Sequence, residues 1–132
     1  MNYKELGQLF EGLRAVVTIA DETGHIVFLN DLALEHYGDR GGVDLVGTHL
    51  DDCHNPTSQA EIGAMYARYR AGDFTPTRYH KEKEDGSLRG PGVGETIVLI
   101  PLVIDGCLRG VAELMWNERA ELVIETPLGP DT

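Results

Sequence analysis

The stretch TIVLIPLVIDGCLRGVAELMW, residues 96–116, decides how this chain folds. Two strongly apolar runs, Thr96–Ile104 and Leu108–Trp116, flank the pair Asp105-Gly106. That pair between apolar runs predicts a tight β-hairpin, because a two-residue turn needs residues that accept positive φ. Pro101 has no amide hydrogen to give to a ladder, so it predicts a bulge or an edge position in the first of the two strands.

The segments upstream supply more strands and the helices. Phe74 to Glu84 mixes apolar and charged residues, with Arg78, His80, Lys81, Glu82 and Lys83 close together, which predicts a strand with one wet face. Asp85 to Gly94 holds four glycines and Pro91, the composition of a long hairpin loop. Ser58 and Glu61 have the spacing of a capping box. The helix they open places Ile62, Met65, Tyr66 and Tyr69 on one face, reaches Ala71 and stops at Gly72. AVVTIADETGHIVFLN, residues 15–30, reads as a hairpin of Val16–Ala20 and Ile26–Leu29 about a turn at Asp21–Gly24. Asn30 or Asp31 then caps a short helix carrying Leu32, Leu34 and Tyr37, and VDLVG is one more helical turn closed by Gly47. At the start, Leu6, Leu9, Phe10 and Leu13 form one apolar stripe of an amphipathic helix. After Asn117, Ala120, Leu122 and Ile124 alternate with polar residues and predict an extra strand. From Thr126 onward, Pro127, Gly129 and Pro130 predict a disordered end. The organisation expected is a helix over 1–13, one body over 14–116 and a partly disordered tail over 117–132.

Composition narrows the function. With 132 residues, 42% hydrophobic and 25% charged, the chain suits one globular domain. Its 22 acidic against 11 basic residues give a net charge of −11, which repels phosphate backbones and anionic lipid heads. Nucleic acid and membrane are therefore not expected partners. No apolar run approaches the ~20 residues of a membrane span, and MNYKELGQLFEGLR lacks the apolar core of a signal peptide. Cys53 and Cys107 follow no zinc-ligand spacing and are expected as reduced thiols in a cytoplasmic protein.

The order helix, two strands, several short helices, one longer helix, three strands resembles the PAS fold. IADETGHIVFLN looks like the opening PAS hairpin leading into an asparagine. LVGTHLDDCHNPTSQAEI looks like the stretch in which a glycine, a short helix and a His-Pro turn lead into the long helix, except that Asn55 here separates His54 from Pro56. YRAGDF resembles the close of that helix, and IPLVIDGCLRGVAELMW the final hairpin. The resemblance spans about residues 14–116 and rests on the order and spacing of motifs that are each loose alone. It implies an α+β domain: a five-stranded antiparallel sheet with short helices on one face, and a hollow between them that holds a small molecule in many such domains. The resemblance also implies that the N-terminal helix pairs two copies.

Cys53-His54, with His49, Asp51 and Asp52 nearby, is the densest cluster of ligating side chains, and several readings stay open. Cys53 is a small buried residue and His54 positions the next helix; or one of them ligates haem. Haem-sensing PAS domains place that histidine in the long helix, which has none here. The cysteine lacks the surroundings of a flavin-binding or chromophore-binding photoreceptor. A metal held by His49, Asp51, Asp52 and His54 would need consecutive residues to converge. The Gly-rich GSLRGPGVG matches no phosphate-binding fingerprint. Position alone brings Cys53, His54, Met65, Tyr66, Tyr69, Phe28, Leu99 and Met115 toward the hollow. The expectation is a PAS-type sensory module, not an enzyme, that binds a small ligand and signals through a homodimer or a partner signalling protein. The alternatives are a ligand-free interaction module or a haem sensor. A Cys53/His54 nucleophile–base pair is disfavoured because neighbouring residues seldom aim at each other.

Overall fold

The computed structural model describes residues 3–81 and 92–126. Helix α1 (Tyr3–Glu11) precedes the hairpin β1 (Val16–Asp21) and β2 (Ile26–Leu29). Next come α2 (Asp31–His36), three single 3₁₀ turns (Gly38–Arg40, Gly42–Leu45, Leu50–Cys53) and the long helix α3 (Pro56–Arg70). Three strands follow, β3 (Thr77–His80), β4 (Glu95–Ile104) and β5 (Cys107–Asn117), then a last 3₁₀ turn at Glu118–Ala120. The strands form one sheet in the order β2-β1-β5-β4-β3, every neighbouring pair antiparallel.

The deciding hairpin forms as expected. Asp105 and Gly106 both take positive φ, 52° and 77°, so Ile104 and Cys107 pair across a two-residue turn whose twist suits the strands. Pro101 sits where β4 has lost its other neighbour: β3 pairs only as far as Leu99, and a bulge follows at Leu102/Val103. Gly110 permits close packing of the central strands. A Cβ there would stand 2.5 Å from the carbonyl oxygen of Ala20, a backbone atom that cannot turn away. Gly110→Ala is expected to destabilise the fold by about 2 kcal/mol through overpacking, read from the urea midpoint; no loss would show that β1 and β5 separate freely at that end.

The inner face of the sheet carries the core. Ala20, Leu99 and Val111 pack under Ala33, Tyr37, Leu45, Leu50, Ile62, Met65, Tyr66 and Tyr69. The apolar face predicted for the long helix is the face it buries. Its start differs. Asn55, not Ser58, is the cap: its side-chain oxygen accepts from the Ser58 amide at 2.9 Å, and Pro56 occupies the first turn, where no amide hydrogen is missed. The residue that interrupts the His-Pro pair is thus the one that begins the helix.

The strand expected over Phe74–Glu84 is shorter, and residues 82–91, with most of the expected loop, lie outside the described residues. The side chain of Leu6 and the end beyond residue 126 also lie outside them. The extra strand expected at 120–124 does not form. β5 is central, with both edges taken by β1 and β4, so no open edge adjoins its end. Instead the chain turns at Glu118, whose carboxylate accepts from Thr96 Oγ1 at 2.6 Å and contacts His80. Glu121 accepts from Trp116 Nε1 at 2.8 Å, and Leu122, Val123 and Ile124 are left exposed.

Candidate functional site

A small hollow lies between the inner face of β1, β2 and β5 and the connecting helical turns. Thr18, Ile26, Leu29, Tyr37, Leu45, Leu50, Cys53, His54 and Glu113 line it. Strand alternation brings Thr18 and Glu113 together: they are direct cross-strand partners on β1 and β5 and share a face. β2 contributes both Ile26 and Leu29, three residues apart, because a register shift opposite Ile19/Ala20 resets its alternation.

The turn carrying Cys53 and His54 is tied at both ends. His49 Nδ1 accepts from the Asp51 amide at 3.0 Å, and the Asp52 carboxylate accepts from the His49 amide at 3.3 Å. The opposite ring nitrogen, Nε2, lies 2.8 Å from the Thr23 carbonyl. A carbonyl only accepts, so His49 carries its proton on Nε2 and pins this turn to the β1–β2 hairpin. The rings of His25 and His49 meet edge to face at 5.0 Å. At the other end, Gln59 Nε2 donates to the carbonyls of Asp51 and His54. His54 Nδ1 lies 2.6 Å from the Leu50 carbonyl, which puts the proton on Nδ1 and the lone pair of the neutral ring on Nε2. Cys53 is half-buried, and its thiol is 3.8 Å from the His49 carbonyl; Cys107 is exposed, and neither is in a disulfide.

Of the residues expected near the hollow, Cys53 and His54 line it. Met65, Tyr66, Tyr69 and Leu99 lie in the core beside it. Tyr66 Oη donates to the Asp21 carbonyl at 3.0 Å, and Tyr69 Oη donates to the Leu99 carbonyl at 3.4 Å. Burial, and then the neighbouring Glu113, push the Tyr66 phenol upward. Met115 is buried but does not line the hollow. Phe28 is on the other side of the sheet. It pairs with Ile19 in the phase opposite to Leu29, and its ring meets Phe10 of α1 edge to face at 5.5 Å. An apolar residue on a strand gives no sign of which face meets which helix, and here α1 meets β2 on the outer side through Phe10.

Glu113 is the residue sequence reasoning passed over. It sits in the apolar run VAELMW, in phase with Val111 and Met115. A carboxylate in the buried phase of a strand was the available signal. It keeps some accessible surface along the hollow, yet the protein around it desolvates the carboxyl and pushes its pKa up to about 7. Among the described residues no hydrogen bond or ion pair reaches it.

The hollow measures about 10 Å³, close to the room one water needs. A haem or a flavin does not fit it as the chain is folded here, and α3 offers no histidine to an iron. Among the described residues no three histidine, cysteine or acidic side chains converge on a metal position, and no helix is long and apolar enough to cross a membrane.

No family model and no curated protein matches the chain. Solved structures do. The PAS domain of Bordetella pertussis BvgS superposes with a TM-score of 0.61 at 18% identity, covering 86% of this chain and 84% of that one. A PAS domain from Desulfitobacterium hafniense gives 0.57 at 14% identity, covering 83% and 98%. A sensory box sensor histidine kinase from Vibrio cholerae gives 0.55 at 17% identity, covering 86% and 89%. With the sheet order and the helical connections described above, these superpositions establish that the chain has the PAS fold.

Proposed function

We propose that this chain is a sensory module that couples the hollow on the inner face of its sheet to a second copy of itself docked on the outer face. The carrying observation is that the same strands bear both surfaces. Thr18 and Glu113 face the hollow, while their chain neighbours Val17, Ile19, Ala112 and Leu114 point to the opposite side. A small shift of β1 against β5 is therefore felt on both faces. On the outer side, α1 leans on Phe28 through Phe10 and leaves Leu9 and Leu13 exposed, 59% and 40%. Ile100, on the same outer phase of β4, is 38% exposed. Exposed apolar side chains on helix and sheet are what a symmetric pair of copies would cover. The similarity to a sensor histidine kinase structure agrees with a signalling role.

Light scattering after size exclusion checks the docking half. The full chain is expected to run as a dimer at high micromolar concentration. Leu9→Glu with Leu13→Glu should return it to a monomer with unchanged circular dichroism, since neither side chain is buried. A monomeric wild type would defeat the dimer. A module with a self-filled hollow is the second reading, favoured by the small volume. It predicts that changes at the hollow leave the dimer constant untouched.

A further inference from the structure

We propose that His49 is a proton-operated latch: a proton taken up at Nδ1 releases the Leu50–Cys53 turn, which walls the hollow, while the ring stays fastened to the β1–β2 hairpin. This inference rests on the sensory reading and names a stimulus for the same hollow. Three successive carbonyls at the tip of that hairpin each accept from a side chain elsewhere. Tyr66 Oη donates to Asp21 at 3.0 Å, Arg70 Nη2 to Glu22 at 2.8 Å and His49 Nε2 to Thr23 at 2.8 Å. A guanidinium keeps its protons, and burial pushes the Tyr66 phenol upward. Of the three kinds of donor, only an imidazole ordinarily changes charge between about pH 5 and 8.

The two nitrogens of that ring answer a proton differently. Nε2 carries hydrogen in both charge states, so the bond to Thr23 survives. Nδ1 accepts from the Asp51 amide at 3.0 Å, and an imidazolium has no lone pair left to accept with. The new N–H then faces the amide it served, and the Asp51 carboxylate, 3.6 Å from Nδ1, is an acceptor within reach. To bond it, the turn that follows His49 has to re-set. Gly24 gives the ring its seat, since a Cβ there would stand 2.8 Å from Nε2. Among the described residues, the charged and titratable groups around the ring come from three elements. They are Asp51 and Asp52 of its own turn, His25 at 5.0 Å between ring centres, Asp21 joined to His25 through Thr23 Oγ1, Glu22 at the hairpin tip, and Arg70 of α3 on the Glu22 carbonyl. Leu50 is 2% exposed and lines the hollow together with Cys53, so a shift of this turn is carried straight into its wall.

Amide resonances of the full chain, followed by NMR from pH 8 to pH 5, test the latch, with the His49 ring proton on Cε1 read in the same samples. The Asp51 amide is expected to shift along the ring's own titration curve. Its hydrogen exchange, corrected for the intrinsic effect of pH, should quicken roughly tenfold. The amides of Leu50 and Cys53 should share that midpoint, while the Val17 amide, held by Asn30, should not follow it. His49→Asn keeps an acceptor for the Asp51 amide without a titratable group, so that amide should stay protected at every pH. His25→Gln should keep the wild-type response, which separates the two neighbouring rings. An Asp51 amide that ignores the His49 titration overturns the proposal. So does a His49 ring that does not titrate in this range, an equal response in His49→Asn, or a response lost in His25→Gln. If His49→Asn does not fold, the coincidence of ring and amide curves in the unaltered chain decides alone. The dimer measurement tests the sensory reading separately: a dimer with a silent Asp51 amide removes the latch only, and a monomer with a responding one leaves the latch standing in a chain that does not pair.

Discussion

Replacing Asn30 by alanine is expected to cost about 3–5 kcal/mol of folding stability. Asn30 is fully buried. Its side-chain oxygen accepts from the Val17 amide at 3.0 Å and from the Ala33 amide at 2.9 Å, so one atom joins β1 to the first turn of α2. Its side-chain nitrogen donates to the Ala15 carbonyl at 2.8 Å and to the Leu13 carbonyl at 3.4 Å, holding the segment that leads out of α1. Alanine removes the helix cap and leaves buried backbone groups without partners, and each such group costs about 1–3 kcal/mol. Asn30→Asp is expected to be no better. It keeps both acceptors, but it buries a charge and turns an oxygen toward two carbonyls. Urea unfolding followed by circular dichroism measures both variants. A loss below about 1 kcal/mol for alanine would mean that water takes over these bonds. The same pin joins α1, β1, β2 and α2, so a variant that still folds should loosen α1 and weaken any dimer made through it.

Glu113→Gln is expected to make the protein more stable above pH 7, and no more stable at pH 4. The ordinary carboxyl value is 4.5, and burial raises Glu113 to about 7 in the folded state. A raised acid binds its proton more tightly when folded. Folding therefore takes up a proton between pH 4.5 and 7, and stability falls as pH rises through that window. The difference amounts to at most about 3 kcal/mol above pH 7, an upper bound because the side chain keeps some accessible surface. Glutamine stays neutral and should flatten this part of the profile. Midpoints of chemical unfolding at pH 4, 6 and 8 for the two proteins test it. Parallel profiles would show that Glu113 is well solvated in the folded chain.

Much of the architecture is legible without coordinates because it is written in local chemistry. Asp105-Gly106 announces its turn, Gly72 ends its helix, and the spacing of Ile62, Met65, Tyr66 and Tyr69 points to the face that α3 buries. The two errors have different causes. Ser58 and Glu61 satisfy a capping pattern, but Asn55 reaches the amide first. Residues 120–124 alternate like a strand, but β5 has no edge left to receive them. The first is settled by local chemistry, since Asn55 stands directly before Pro56; the second depends on what the rest of the chain already occupies.

The candidate site divides in the same way. The cluster around Cys53 and His54 is dense in the sequence, and its place between hairpin and long helix follows from the order of elements. That Glu113 meets Thr18 depends on the register of β5 against β1, and a slip of one residue would send both to the opposite face. That Phe28 belongs with Phe10 rather than with the hollow depends on which helix covers which side. Turn positions, helix limits and the antiparallel α+β plan are decided by the amino acids alone, since they follow from backbone preference and the spacing of apolar residues. The volume of the hollow, its acidic character and the division of the two faces belong to tertiary structure, because they arise only between residues that long-range pairing brings together.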